Sequence, residues 1–269
     1  MRVRVPLPVL ESVTPSRDRR EVHSLATRDA ARRLFDAGRS TVQIAHEFGV
    51  ARSTVRVWCT AVLATDAVSE RCPRCRLTPE LPADLTGYAY LLGQYLGDGH
   101  LAISGGRVPM LRIACTAAYP AIMDEVEQAM RTLLAKSVCR VGMPGCFHVK
   151  SYSKHWPCLF PQHGPGPKHL RPIVLAPWQQ EIVDAEPRAL LRGLIHSDGY
   201  RGVNYVTTQG KQYAYVRYLF GNESSDILRI CGDALDRVGA QWRYNRPNSI
   251  SVAKRDSVAL LDTFIGPKC

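Results

Sequence analysis

A chain of 269 residues that is 45% hydrophobic is long enough for one large or two small domains with a real core. Its formal net charge of +11 favours a polyanionic partner, nucleic acid above all. No apolar run approaches the ~20 residues of a bilayer span. The opening Met1-Arg2-Val3-Arg4-Val5-Pro6 is too short and Pro-broken for a secretory signal. The expectation is therefore no membrane partner and a cytoplasmic, bacterial, nucleoid-associated protein. Nine cysteines are an odd, scattered set, read as thiols in a reducing compartment. Cys115 and Cys231 sit in apolar context and read as small core residues.

Residues 1–20 carry several Arg and Pro without apolar period, as a basic flexible arm does. Residues 21–65 carry three helical runs. Asp29 to Phe35 is stopped by Gly38. Thr41 to Phe48 sets Ile44, Ala45 and Phe48 on one face and is broken by Gly49. Ser53 to Cys59 spaces Val55 and Trp58 helically, with Ser53 as an N-cap. Helix, glycine turn and helix make a helix-turn-helix plan, and the stretch from Ala30 to Trp58 resembles bacterial DNA-binding helix-turn-helix proteins. That resemblance implies a last helix in the major groove, with Arg52, Ser53, Thr54 and Arg56 facing DNA.

Residues 66–85 form a Pro-rich, charged linker containing Cys72-Pro73-Arg74-Cys75. A structural zinc at Cys72 and Cys75 needs two more ligands. Cys146, His148, Cys158, His163 or a second chain are the candidates.

A duplication follows. Leu91-Leu92-Gly93-Gln94-Tyr95-Leu96-Gly97-Asp98-Gly99 aligns without a gap on Leu191-Arg192-Gly193-Leu194-Ile195-His196-Ser197-Asp198-Gly199, at an offset of 198 − 98 = 100. Each copy ends an apolar helix, Tyr88 to Gly97 and Arg188 to Ser197. Gly93 and Gly97, matched by Gly193 and Ser197, place small residues four apart on one face, so the two helices can cross closely with both acids at one end. Gly99 and Gly199 read as helix-ending residues of positive φ. Strands are predicted at Met110 to Cys115, Cys139 to Tyr152, Val203 to Thr208, Tyr213 to Phe220 and Ile250 to Val252. Covering helices are predicted at Ala121 to Leu134 and Asp226 to Val238. The segment from Pro172 to Ala185 joins the halves, and Gln162 to Pro167 is a loop.

A carboxylate at a helix C-terminus opposes the dipole, and two of them repel. Bound Mg²⁺ or another divalent cation would offset both, and paired cations suit hydrolysis of a phosphodiester. The repeated motif resembles the LAGLIDADG homing endonucleases. Gly93, Asp98 and Gly99, like Gly193, Asp198 and Gly199, match the third, eighth and ninth letters, whereas Gln94, Tyr95 and Leu96 depart from the central ones.

The resemblance implies an α+β fold: a tandem αββαββα pseudo-dimer over residues 86–170 and 171–269, preceded by the small all-α helix-turn-helix domain. It also implies a monomer with internal pseudo-two-fold symmetry on double-stranded DNA. Asp98 and Asp198 would hold metal, with the Gly97 and Ser197 carbonyls as further ligands. A lysine in each half is implied near the metals; Lys254, after the last strand, and Lys154, one hundred residues earlier, fit that role. Arg112, Lys150, Arg201, Lys211, Tyr213, Tyr215, Arg217, Arg243 and Arg246 would contact DNA from the sheets. Alternation puts Tyr213, Tyr215 and Arg217 on one strand face and Val216, Tyr218 and Phe220 on the other. His100 reads as a polar loop residue.

The chain opens on Met1 and closes on Pro267-Lys268-Cys269 rather than on intein ends, so no splicing role is expected. Two functions compete: a Mg²⁺-dependent site-specific endonuclease, and a transcription regulator that binds without cutting. RNA processing has no distinctive feature in its favour.

Overall fold

The computed structural model describes residues 25–56, 58–59, 72–75, 81–103, 107–134 and 137–268. The predicted arm at 1–20 and most of the linker at 66–85 fall outside them. The chain divides into two compact units, residues 1–55 and 56–269.

In the first unit, α1 (Leu25–Asp36) and α2 (Thr41–Glu47) are joined through Gly38, whose φ of +86° is a conformation only glycine takes freely. Ser40 caps α2: its Oγ accepts from Gln43 N at 3.3 Å while Gln43 Oε1 accepts from Ser40 N at 3.0 Å, a reciprocal capping box. Ile44, Ala45 and Val55 are buried. Gly49 turns the chain at φ +62°. A third helix, α3, starts at residue 52. Thr54 N and Val55 N both bond to Ala51 O, so Ala51 and not Ser53 stands at the helix entry.

The second unit repeats one plan twice. The first half runs α4 (Leu85–Asp98), β1 (Gly99–Ala102), β2 (Met110–Thr116), α5 (Pro120–Leu134), β3 (Val138–Met143), β4 (Cys146–Tyr152) and α6 (Trp156–Leu159). After a 3-10 turn at Lys168–Leu170 and α7 (Pro177–Ala185), the second half runs α8 (Pro187–Asp198), β5 (Gly199–Thr208), β6 (Lys211–Gly221), α9 (Ser225–Arg237), β7 (Arg243–Arg246), β8 (Ser249–Val252) and α10 (Arg255–Asp262). Each half is αββαββα, and the two antiparallel sheets have matching orders, β1-β2-β4-β3 and β5-β6-β8-β7. The fold is mixed α+β, as the duplication predicts.

Several elements differ from the sequence expectation. The run from 139 to 152 is a hairpin, β3 and β4, folded at Gly145 with φ +76°. The joining segment contains α7, entered through Pro177 at its first turn. β1 and β7, four residues each, have no counterpart in the sequence expectation.

The core is built by α4 and α8 crossing at the centre, with α5 and α9 laid over the inner sheet faces. Glycine permits the crossing. A Cβ at Gly93 would meet Leu190 O at 2.5 Å, and one at Gly193 would meet Tyr90 O at 2.2 Å. Gly99 and Gly199 have ordinary φ values of −85° and −92°. They are required for space instead: a Cβ there would lie 2.4 Å from Tyr95 Cα and 2.5 Å from Ile195 Cα, respectively. Among the described residues, no helix is long and apolar enough to cross a membrane.

Candidate active site between the motif helices

The crossing brings the ends of α4 and α8 together. A Cβ built on Gly97 would lie 2.2 Å from Ser197 Oγ and 3.1 Å from Asp198 Oδ2, so each helix end touches the other. Asp98 feels the charge of Asp198. Partial burial, then the Asp198 carboxylate, push the Asp98 carboxyl up to about 6 against the pull of Lys168 and Lys268. Burial also raises Asp198, opposed by its hydrogen bond from Asn222 Nδ2 at 2.8 Å and by the same two lysines. The residue after β2 that corresponds to Asn222 is Ala117, which has no such donor. The two acids are therefore unequal.

The cations at this centre are Lys168 and Lys268. Lys168 Nζ donates to Leu96 O at 3.0 Å and Gly97 O at 2.7 Å, and also to Tyr95 O. Lys268 Nζ donates to Ser197 O at 3.1 Å. Each lysine thus caps the motif helix of its own half, where the dipole is negative. Burial draws Lys168 down to about 8 and lowers Lys268, and both carboxylates oppose the shift. An anchor on the far side positions Lys268. Arg192 on α8 holds Glu125 at 2.6 and 2.9 Å and binds the carbonyls of Phe264, at 2.9 Å, and Ile265.

Lys154 and Lys254, which the offset selects, are not among the groups that shift the two carboxylates. Lys154 is exposed in the turn after β4, and Lys254 is the exposed N-cap residue of α10. The offset alone does not single them out, because 268 − 168 = 100 as well. The stronger signal is the repeated tripeptide Gly166-Pro167-Lys168 and Gly266-Pro267-Lys268. Both glycines have positive φ, +77° and +70°, so the repeat is also one of backbone conformation. The Gly97 and Ser197 carbonyls, named as metal ligands, already accept from these lysines. Each retains a second lone pair.

A cleft of about 810 Å³ opens beside Asp198, lined by Lys168, His100, Arg217, Asn222 and Arg246 among others. His100 stacks edge-on against His163 at 6.5 Å, and burial, then the nearby Arg112, lowers its pKa. On the first sheet's outer face, register aligns His100, Arg112 and Lys150 in one row. On the second, Tyr213, Tyr215 and Arg217 share the face opposite buried Tyr218 and Phe220, as alternation predicts, and the two tyrosine rings stack at 6.3 Å. Lys211 and Arg243 are exposed on β6 and β7.

Arg201 departs from the expected pattern. It pairs with Tyr218 in register and so faces the other way, gripped by Asp262 at 2.7 Å through both Nε and Nη2. On α3, Arg52, Ser53 and Arg56 are exposed and Thr54 is half-buried; Arg52 Nε also reaches Thr41 Oγ1 at 3.3 Å.

No protein-family model matches the sequence, and no curated protein sequence does. Solved structures do. The chain is similar to LAGLIDADG homing endonucleases. Mesophilic variants of the homing endonuclease I-DmoI match at 17% identity and a TM-score of 0.44, covering 68% of this chain and 97% of theirs. The LAGLIDADG meganuclease I-AabMI bound to uncleaved DNA matches at 12% and 0.42, covering 66% and 82%. The N-terminal LAGLIDADG domain of DUF199/WhiA matches at 12% and 0.42, covering 76% and 91%. At this level of similarity no residue's role transfers to this chain.

The titration of Asp98 gives one test. Its folded carboxyl holds a proton up to about pH 6, whereas the unfolded chain releases it near 3.8. The stabilisation linked to that proton is complete below pH 4 and is lost as pH rises through 6. Relative to Asp98→Asn, the metal-free wild type should therefore lose stability between pH 4 and 6.5 and run parallel above. Urea melts across that range check it; identical pH profiles for the two proteins would refute the assignment.

Proposed function

We propose that this chain is a divalent-metal-dependent endonuclease acting on duplex DNA. The observation that carries the reading is the meeting of Asp98 and Asp198 at one helix crossing, with a lysine from each half at the same ends. Two carboxylates with raised pKa values, Asp98 exposed at the helix tip and Asp198 half-buried, form an oxygen-donor site suited to Mg²⁺. A cation held there supplies Lewis acidity and lowers the pKa of a bound water.

The chain's own groups do the rest. Asp98 and Asp198 hold positive charge beside the scissile phosphate. Lys168 and Lys268, fixed by helix-end carbonyls, offset the negative charge that develops in the transition state. Arg112, Lys150 and Arg217 on the outer sheet faces contact the backbone or guanine edges, while Tyr213 and Tyr215 offer flat contact area. The net charge of +11 supports a polyanionic substrate. The direct test is a duplex library incubated with the full chain, with and without Mg²⁺. Metal-dependent cuts at a defined site support the reading, and binding with no cut under any divalent metal overturns it.

One observation favours the second reading, a regulator that binds without cutting. Lys168 and Lys268 already offset the two carboxylates, so the site is tolerable without metal.

In either case the helix-turn-helix reading makes α3 a DNA contact. Arg56→Ala should then weaken duplex binding by about 1 kcal/mol or more and reduce the salt slope by about one ion. Unchanged affinity and slope in a salt titration would remove α3 from the interface.

A further inference from the structure

A second cluster, sharing no residue with the acidic centre, consists of Cys72, Cys75, His155 and Cys158. Their ligating atoms all lie within 4.8 Å of one another. Cys72 and His155 are buried, and Cys75 and Cys158 partly so. We propose that these four side chains form a closed structural zinc centre.

Three features point to a metal rather than to four packed polar groups. The first is distance. Zinc bonds of about 2.3 Å to sulfur and 2.0 Å to nitrogen, at tetrahedral angles, place sulfur about 3.5 Å from nitrogen. Cys72 Sγ and Cys75 Sγ lie 3.4 and 3.5 Å from His155 Nδ1. A neutral Nδ1 offers one lone pair, so it cannot accept from both thiols; one cation between them satisfies all three atoms. The second is composition: Cys158 Sγ lies within 4.8 Å of the other three ligating atoms, and three sulfurs with one imidazole make a four-ligand set typical of zinc.

The third is backbone geometry. Both ligand pairs are spaced i, i+3 across a turn. Cys75 N bonds to Cys72 O at 3.2 Å, and Cys158 N bonds to His155 O at 3.0 Å. Each turn presents two ligands to one side, as a chelating knuckle requires. Sequence spacing identified the first pair and one member of the second. It missed His155, and it nominated Cys146 and His148, which lie on β4, and His163, which stacks on His100.

With four protein ligands the centre has no open position for water, so its work is structural. It ties the Cys72–Cys75 turn to the start of α6, where His155 is the N-cap and Cys158 lies on the helix. α6 carries Trp156, which is fully buried, and leads to the segment bearing Lys168.

The test is metal analysis of the full-length chain purified without chelator. One zinc per chain is expected, with the zinc falling to background in Cys72→Ser and Cys158→Ser and unchanged in Cys139→Ser, an exposed cysteine on β3. Should the serine variants fail to fold, Co²⁺ loading of the wild type decides. Thiolate charge-transfer bands with tetrahedral d–d absorption support the centre. A folded, zinc-free wild type with no such bands overturns it, as does a disulfide among these cysteines found by mass analysis of protein prepared under reducing conditions. Full zinc retention in folded Cys72→Ser and Cys158→Ser would also overturn it.

Discussion

Asp198→Asn protein is expected to bind duplex DNA with undiminished affinity and to cleave it about a thousandfold more slowly, a loss of about 4 kcal/mol of transition-state stabilisation. The amide keeps the shape of the side chain and its place beside Asn222 but lacks the charge that holds a divalent cation. Binding should not fall, because removing a carboxylate also removes repulsion of the DNA phosphates. A second readout separates this from general damage. Asp198 contributes to the raised pKa of Asp98, so the metal-free variant should melt at the same temperature as wild type or higher. Single-turnover cleavage, filter binding and thermal melts measure the three quantities. Wild-type cleavage rates in a correctly folded variant would take Asp198 out of the chemistry.

Gly193→Val should be the most destabilising single change at the crossing. The new Cβ would need the space 2.2 Å from Tyr90 O and 3.1 Å from Gln94 N, and both are backbone atoms of the partner helix that cannot rotate away. The helices must separate, opening gaps among Leu91, Leu92, Leu190 and Leu194, all fully buried. Overpacking of this kind costs about 3 kcal/mol or more, a large share of the 5–15 kcal/mol that typically holds a domain together. Gly142→Ala is the control. Its Cβ would meet only Phe147 Cε1 at 3.6 Å, an ordinary contact, so a shift within about 0.5 kcal/mol is expected. Denaturant midpoints for the two variants check both; equal midpoints would mean the helices do not cross as described.

The duplicated motif was legible because its physical demands are local. A helix that must approach another helix shows its small residues at a spacing of four, and a helix that ends at a functional centre shows its acid and the crowded glycine after it. Gly93, Gly193, Asp98 and Asp198 carry that signal wherever the chain later runs. The long strands and the covering helices α5 and α9 were legible for the same reason, since alternation and helical periodicity repeat within a few residues. Of the four-residue elements, β8 was legible from the run Ile250 to Val252, whereas β1, β7 and α6 were not.

What the linear chain determined, then, is the pair of halves, the helix faces that join them and the acids at their tips. Only the tertiary structure decided which side chains meet those acids. Lys154 with Lys254 and Lys168 with Lys268 satisfy the same offset, yet only the second pair returns to the motif helices, because Lys168 is placed by the loop after α6 and Lys268 by Arg192 and its partners. Likewise, Arg201 is lost to Asp262, and His155 joins the cysteines, through contacts spanning 61 and 83 residues of sequence. Periodicity reports the neighbours a residue has along its own element; contacts over such separations depend on how loops close, and no local pattern encodes that.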